Sequence, residues 1–307
     1  MSLQKKMSRK IRNQIDGILL LDKPLGISSN QAINKVKYLL NATKVGHTGT
    51  LDPMATGLLP VCLGEATKFA SYLLDGDKEY HATMQLGVVT DTGDAEGKVI
   101  AQNNVNVNLE LIQLALGKFV GEIDQIPPMY SALKHNGQPL YEYARAGITI
   151  ERQARKVSIY ELELVNYDRP TQQVEFRALV SKGTYIRTLA EDIGNLLGCG
   201  ASLVALRRTR TNQFSINDAI TIEKIAQDIS NLPLLPIDSI LPDLNSYQIN
   251  DEQYIKVGHG NVCEINEQVD SGKYRLYYHS KFLGVAEIVK DSGISQLRPK
   301  RMVQQIP

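Results

Sequence analysis

The stretch Gly46 to Gly64, GHTGTLDPMATGLLPVCLG, constrains this chain more than any other. Three glycines and a proline fall within its first twelve residues, so it begins as an irregular loop. It ends in an apolar run, Leu58 to Leu63, suited to a buried strand. One carboxylate, Asp52, lies inside the loop. The ring of Pro53 biases Asp52 away from the helical region, and Thr48 and Thr50 bring hydroxyls able to tie the turn through local hydrogen bonds. Asp before Pro is also a common helix cap, so Asp52 alone reads either as the cap of a Pro53 to Thr56 turn or as a functional side chain held steady.

The flanking elements follow from periodicity. Ile15 to Asp22, IDGILLLD, predicts a buried strand, and Ser28 or Ser29 caps a helix with Ile33, Val36, Leu39 and Leu40 at helical spacing. Asn41 to His47 reads as a loop. Glu65 to Leu74 predicts a helix with Phe69, Ala70, Leu73 and Leu74 inward, followed by a strand from Lys78 to Leu86. Thr90 to Lys98 is a polar loop, and Leu109 to Val120 a helix. Gln125 to Gly147 has the composition of an inserted flap, with paired Pro127 and Pro128, a His-Asn-Gly turn, and a tyrosine-bearing helix near Lys134 and Arg145. Tyrosines stack on unpaired bases while Lys and Arg take phosphates, so a flap of this kind suits single-stranded RNA. Two alternating strands, Lys156 to Val165 and Gln173 to Ser181, lead into a helix from Tyr185 to Leu197 with Ile186, Leu189, Ile193 and Leu196 inward. Asn231 to Leu244, with three prolines, reads as a linker, and short strands such as Tyr274 to His279 and Phe282 to Val289 make a small β domain after it.

Composition narrows the classes. No apolar run approaches the roughly twenty residues that span a bilayer, and the basic N-terminus lacks the apolar core of a signal peptide, so the expected compartment is cytoplasmic. Cys62, Cys199 and Cys263 form no C-x-x-C pair and the five histidines show no ligand spacing, which indicates neither a disulfide framework nor a metal site. With a formal net charge of +1, any RNA surface must come from local charge. Residues 1–16 carry five Lys/Arg against one Asp, and residues 134–210 carry twelve Lys/Arg against eight Asp/Glu.

The string GHTGTLDPMATGLLP is long and specific, and it resembles the catalytic motif of the TruB family of tRNA pseudouridine-55 synthases. KPLGISS, KEYHATMQLG, SKGTYIRTLAEDIGNLLG and ALRRTRTNQFS resemble the family's other motifs, in the family's order. The resemblance implies an α+β fold: a mixed, largely antiparallel sheet flanked by helices, a thumb insertion at about residues 124–152, and a small PUA-like C-terminal β domain. It divides the chain into a basic segment (1–14), a catalytic domain (15–244) and an RNA-binding domain (245–307). It makes Asp52 the nucleophile, His47 a substrate-contacting residue, Tyr80 and Tyr185 the residues that hold the target base, and Leu206 a backbone contact to substrate. Arg187 becomes the partner of Asp52 through a two-pronged contact, and Arg207, Arg208 and Arg210 become candidates for phosphates. The basic residues Arg298, Lys300 and Arg301 either reach the acceptor stem or are a solvated end.

The activity so implied is isomerisation of uridine-55 in the tRNA T-loop to pseudouridine by an isomerase that flips the base out. The N1 to C1′ bond breaks and C5 joins the same sugar carbon. Nothing is oxidised or added, so no cofactor and no metal are expected. An ordinary aspartate, with a pKa of about 3.9, needs no base to become a nucleophile at pH 7. The expected partner is the T-arm of tRNA, met by a monomer with no guide RNA and no membrane. A non-catalytic tRNA-binding chaperone is the alternative of a different class, for which Asp52 would be dispensable. The RNA-guided synthases share the HTGTLDP core, but the long QIPPMYSALKHNGQPLYEYAR insertion looks like the stand-alone form. A glycosidase would want a second carboxylate of comparable motif strength.

Overall fold

The computed structural model describes residues 12–265, 269–291 and 294–303. Most of the basic segment expected over residues 1–14 therefore lies outside the described residues. Strand β1 (Gly17–Lys23) is almost wholly buried. Helix α1 (Ser29–Leu39) starts at a capping box: the Ser28 hydroxyl accepts from the Gln31 N–H, and the Gln31 side chain accepts from the Ser28 N–H. Segment Asn41 to His47, expected as loop, ends in a short strand, β2 (Val45–His47), paired with the end of β3 (Ala55–Leu63). The helix expected from Glu65 is instead a 3-10 turn, Gly64–Phe69, and a single α turn, α2 (Ser71–Leu74). Phe69 and Leu73 are buried as expected, but Leu74 faces solvent, because the segment turns a corner against Asp16 rather than running straight.

Strand β4 (Lys78–Leu86) alternates buried and open residues. A two-stranded ribbon, β5 (Val88–Thr90) with β6 (Val99–Gln102), leads to α3 (Leu109–Gly117) and β7 (Gly121–Gln125). The flap contains two-residue strands β8 (Lys134–His135) and β9 (Gln138–Pro139) and the helix α4 (Leu140–Arg145). After it come β10 (Arg155–Asp168), β11 (Gln173–Val180), α5 (Ile186–Leu196), β12 (Ala201–Thr211), β13 (Phe214–Ser215) and α6 (Ile222–Gln227). On α5, Ile186, Leu189 and Ile193 point inward but Leu196 is exposed. The strands form one mixed sheet of order β1-β3-β12-β4-β11-β10-β7, with β2 on β3 and β13 on β12. Its pairings are antiparallel except β3 with β12.

One face of this sheet, with Tyr80, Met84, Phe176 and Ala178, packs with helix residues such as Val36, Ile112 and Leu189. On the other face Ile18, Leu20, Leu58 and Cys62 meet Phe69, Ile240 and Val285. That second core joins the first sheet to a five-stranded one. The latter is built from β14 (Asn245–Gln248), β15 (Cys263–Ile265), β16 (Gly272–Tyr278), β17 (Lys281–Asp291) and β18 (Ile294–Met302), with α7 (Asp251–Gly258) beside it. The segment Asn231 to Leu244 is no free tether. Leu235 exchanges both backbone hydrogen bonds with Ile18 at 2.9 Å, and Ile240 and Leu241 are buried. No helix of the described residues is long and apolar enough to cross a membrane.

Candidate active site

Strands β2 and β3 bracket the loop that carries Asp52, and long-range polar contacts fix that loop. The Ser29 hydroxyl donates to the Leu51 carbonyl at 3.0 Å and accepts from its N–H at 2.8 Å. Arg208, 1% exposed, donates from Nε to the Leu58 carbonyl at 2.8 Å and from Nη2 to the Gly49 carbonyl at 3.1 Å. The Gly26 N–H reaches the Pro53 carbonyl at 2.9 Å. Gly57, at φ +102°, lies so close to β12 that a Cβ there would sit 2.3 Å from the Arg208 carbonyl oxygen. The threonine hydroxyls expected to tie the turn do not do so: Thr48 Oγ1 is buried without a partner among the described residues, and Thr50 is exposed. The reading of Asp52 as a simple cap fails too. The Ala55 N–H bonds the Asp52 carbonyl at 3.0 Å, while the carboxylate turns to Arg187.

Arg187 stands in the first turn of α5, its side chain 6% exposed, with Nη2 2.7 Å from Asp52 Oδ2. The expected two-pronged grip on Asp52 is absent. Nη1 goes to Asp94 Oδ2 at 3.1 Å, so the guanidinium bridges two carboxylates, one 41% exposed and one 4% exposed. Nη1 also donates to the Thr92 carbonyl at 3.2 Å and Nη2 to the Tyr130 carbonyl at 3.1 Å. Asp94 is held in turn by the Thr92 hydroxyl at 2.6 Å and the Glu96 N–H at 3.1 Å. Each group around Asp52 is thus locked by a further contact, which limits how the carboxylate can turn.

A second cation lies close by. Lys23, fully buried, donates to the carbonyls of Pro24 at 2.9 Å and Ile27 at 2.6 Å. Burial lowers its pKa to about 8 against the attraction of Asp52 and Glu96. His47, half-buried at the end of β2, has its pKa lowered by burial and then by the Arg208 guanidinium, against a smaller opposing contribution from Gly49. Both effects favour its neutral form.

Strand β12 gathers the remaining residues. Leu206 lies in register with Ala55 on one side and Ala82 on the other, and its carbonyl accepts from Thr56 Oγ1 at 3.4 Å. Arg208 lies opposite Gly57 and Tyr80, the latter 9% exposed. Tyr185 caps α5 and is clamped by Gln125, whose Oε1 accepts from the Tyr185 N–H at 2.7 Å while Nε2 donates to the Tyr185 carbonyl at 3.1 Å. Burial raises the pKa of the Tyr185 phenol. The arginines proposed for phosphates divide three ways. Arg208 is buried beneath the loop; Arg207 is engaged bidentately by Asp22 at 3.0 and 2.8 Å; Arg210 is exposed. Sequence reasoning missed Ser29, Lys23, Asp94 and the structural use of Arg208. Lys23 and Ser29 fell within KPLGISS and Arg208 within ALRRTRTNQFS, whereas Asp94 fell within none of the motifs.

A carboxylate steered by a buried cation, close enough to the Tyr185 phenol to act on it electrostatically, is suited to attack on an uncharged ring or sugar carbon. The chain matches the N-terminal domain of TruB family pseudouridylate synthase over residues 37–186. It matches the tRNA pseudouridylate synthase B C-terminal domain over 187–241 and the C-terminal region of pseudouridine synthase II TruB over 246–303. It is 49% identical over 296 residues to a tRNA pseudouridine synthase B of Chromobacterium violaceum, covering 94% of this chain and 96% of that one. To the protein of the same name from Actinobacillus succinogenes it is 49% identical over 306 residues, covering 97% of each. Among solved structures it superposes on a chain of a Cbf5-Nop10-Gar1 complex with a TM-score of 0.70 and 27% identity, covering 94% of this chain and 86% of that one. A chain of an H/ACA RNP bound to a substrate RNA containing 2′-deoxyuridine gives 0.69 and 25%, with the same coverage. Fold and site together define a pseudouridine synthase. The chain belongs to the TruB family of pseudouridylate synthases.

Proposed function

We propose that this chain is the isomerase that converts uridine-55 of the tRNA T-loop to pseudouridine, with Asp52 as nucleophile. The observation that carries the reading is the buried Arg187 bridge, which aims a partly exposed Asp52 while tying it to the buried Asp94. The relatives named tRNA pseudouridine synthase B, matched nearly end to end, support tRNA as the substrate.

The target base must leave its stack, at a cost of roughly a few kcal/mol that binding contacts offset. His47 fills the place the base vacates, Tyr80 and Tyr185 hold the extruded ring, and the Leu206 backbone meets its edge. Asp52 bonds C1′ as the N1 to C1′ bond breaks, and its carboxylate is released again when C5 attacks that carbon. The base rotates, C5 joins C1′, the C5 proton leaves to water and N1 regains one, so atoms and charge balance without redox change.

In this reading residues 15–244 form the catalytic domain with its thumb at about 124–152, and 245–307 form a PUA-like RNA-binding domain. The protein acts in the cytoplasm as a monomer without guide RNA, and the thumb takes the T-arm. The test is incubation with an unmodified tRNA transcript tritiated at uridine C5. Tritium release mapped to the T-loop uridine is expected; tight binding with no release would leave a tRNA-binding chaperone in its place.

A further inference from the structure

A groove of about 490 Å³ opens between α1 and α6, away from Asp52. Ile27 and Ile222 line it with apolar surface, Gln31 and Asn34 bring amides, and Lys35 and Tyr38 complete the wall. Tyr38 is 85% exposed, so its ring contributes little to the core and is open to a ligand. The surroundings carry more cations than anions: α1 has Lys35 and Lys37 with no acidic residue, the exposed Lys44 follows it, and α6 brings Lys224 together with Glu223, which lies near enough to Lys35 to interact with it. An aromatic face, amide edges and a lysine over an apolar floor are what an unstacked nucleotide requires: stacking, base-edge hydrogen bonds and a phosphate partner.

The groove is also joined to the catalytic loop. Ile27, at its near end, accepts from the buried Lys23, and the turn it ends bonds Pro53 beside Asp52. Ser29, in the first turn of the same helix, holds Leu51. The first turn of α1 therefore borders the loop that carries Asp52. We propose that this groove is a second RNA subsite, which takes an unpaired nucleotide of the tRNA outside the T-arm. The proposal rests on tRNA being the substrate.

The experiment compares wild type, Tyr38→Ala, Tyr38→Phe and Lys35→Gln for binding of full-length unmodified tRNA transcript and of an isolated T-arm hairpin, with tritium release measured on both. Loss of one stacked base weakens binding about fivefold or more. Tyr38→Ala is expected to lose that factor on full-length tRNA, Tyr38→Phe to keep it, and both to handle the hairpin as wild type does. Lys35→Gln is expected to lower the slope of log affinity against log salt by about 0.7 on full-length tRNA only. Unchanged affinity of Tyr38→Ala for full-length tRNA overturns the subsite, as does an equal loss on the hairpin. Wild type that binds tRNA but releases no tritium would instead remove the proposed activity, and the binding comparison would still decide the groove.

Discussion

The loop around Asp52 and the thumb meet the same RNA in the proposed reading, yet they are built in opposite ways. The loop has irregular backbone, but its contacts come from far away in sequence and are buried: Ser29, Arg208 and Arg187 lie 22, 159 and 135 residues from the positions they hold. The thumb is held mostly by its own neighbours. Leu140 bonds Leu133 through the backbone, Tyr141 bonds Ser131, Ile148 bonds Tyr143, and Arg152 reaches the Pro127 carbonyl at 3.1 Å. A reacting carboxylate needs one geometry, and long-range buried contacts supply it; a gripping surface must fit the contour of its RNA, and local contacts leave it that latitude. Arg187 is the joint between the two, since the same Nη2 that meets Asp52 also meets the Tyr130 carbonyl at the thumb's base.

The joint gives the largest expected effect. Arg187→Met leaves Asp94 buried without its cation, which should cost about 3–5 kcal/mol of stability in denaturant titrations. Single-turnover rates should fall by at least about 100-fold, since the nucleophile loses its orientation. Preservation of both would show that loop and thumb are not joined through Arg187. Next comes the loop's foundation. Arg208→Met removes the donors to Leu58 and Gly49 and should cost about 1–3 kcal/mol. It should lower kcat and leave tRNA affinity as it was; a loss of affinity with kcat intact would make Arg208 an RNA contact after all.

Lys23 makes the buried charge beside the loop visible through pH. Its folded pKa, about 8, lies below that of an unfolded lysine, so between pH 8 and about 10.4 the unfolded chain holds a proton that the folded one has shed. Stability should therefore rise across that window, by an amount on the order of 3 kcal/mol for this group. Lys78, buried at the far end of β4 and likewise lowered to about 8, contributes the same sign. Lys23→Met should remove its share of the rise and slow turnover, whereas Lys78→Met should remove a similar share with turnover unchanged. A flat profile in wild type would contradict the buried-cation assignment. The smallest stability effect belongs to the thumb: Tyr143→Ala loses an edge contact to the His135 ring and a 3.3 Å bond to its carbonyl, and should shift stability by no more than about 0.5 kcal/mol while raising KM for tRNA.

The same division decided what could be read from the chain. Asp52 and its pairing with Arg187 were legible because both lie in long, specific strings, and strands such as Lys78 to Leu86 were legible from period-two burial. The supports of the loop were not. Ser29 reads as part of a helix start, Asp94 as one polar residue in a polar loop, and Arg208 as one more exposed arginine in a basic run, because nothing periodic marks a polar side chain that folds inward to satisfy a distant backbone carbonyl. The linker reading of Asn231 to Leu244 failed for a related reason: prolines forbid regular structure but do not prevent a segment from completing the edge of β1. The five-stranded sheet was foreseen in kind, while its packing on Phe69 and Leu58 depends on contacts that no local pattern records.

In the proposed reading the fixed loop exists to present one carboxylate. The most direct test is Asp52→Asn, a nearly isosteric change, assayed for single-turnover tritium release and for tRNA binding in the same preparation. Abolished release with binding at the wild-type level is the predicted result; release at a substantial fraction of the wild-type rate would show that the chemistry does not pass through Asp52.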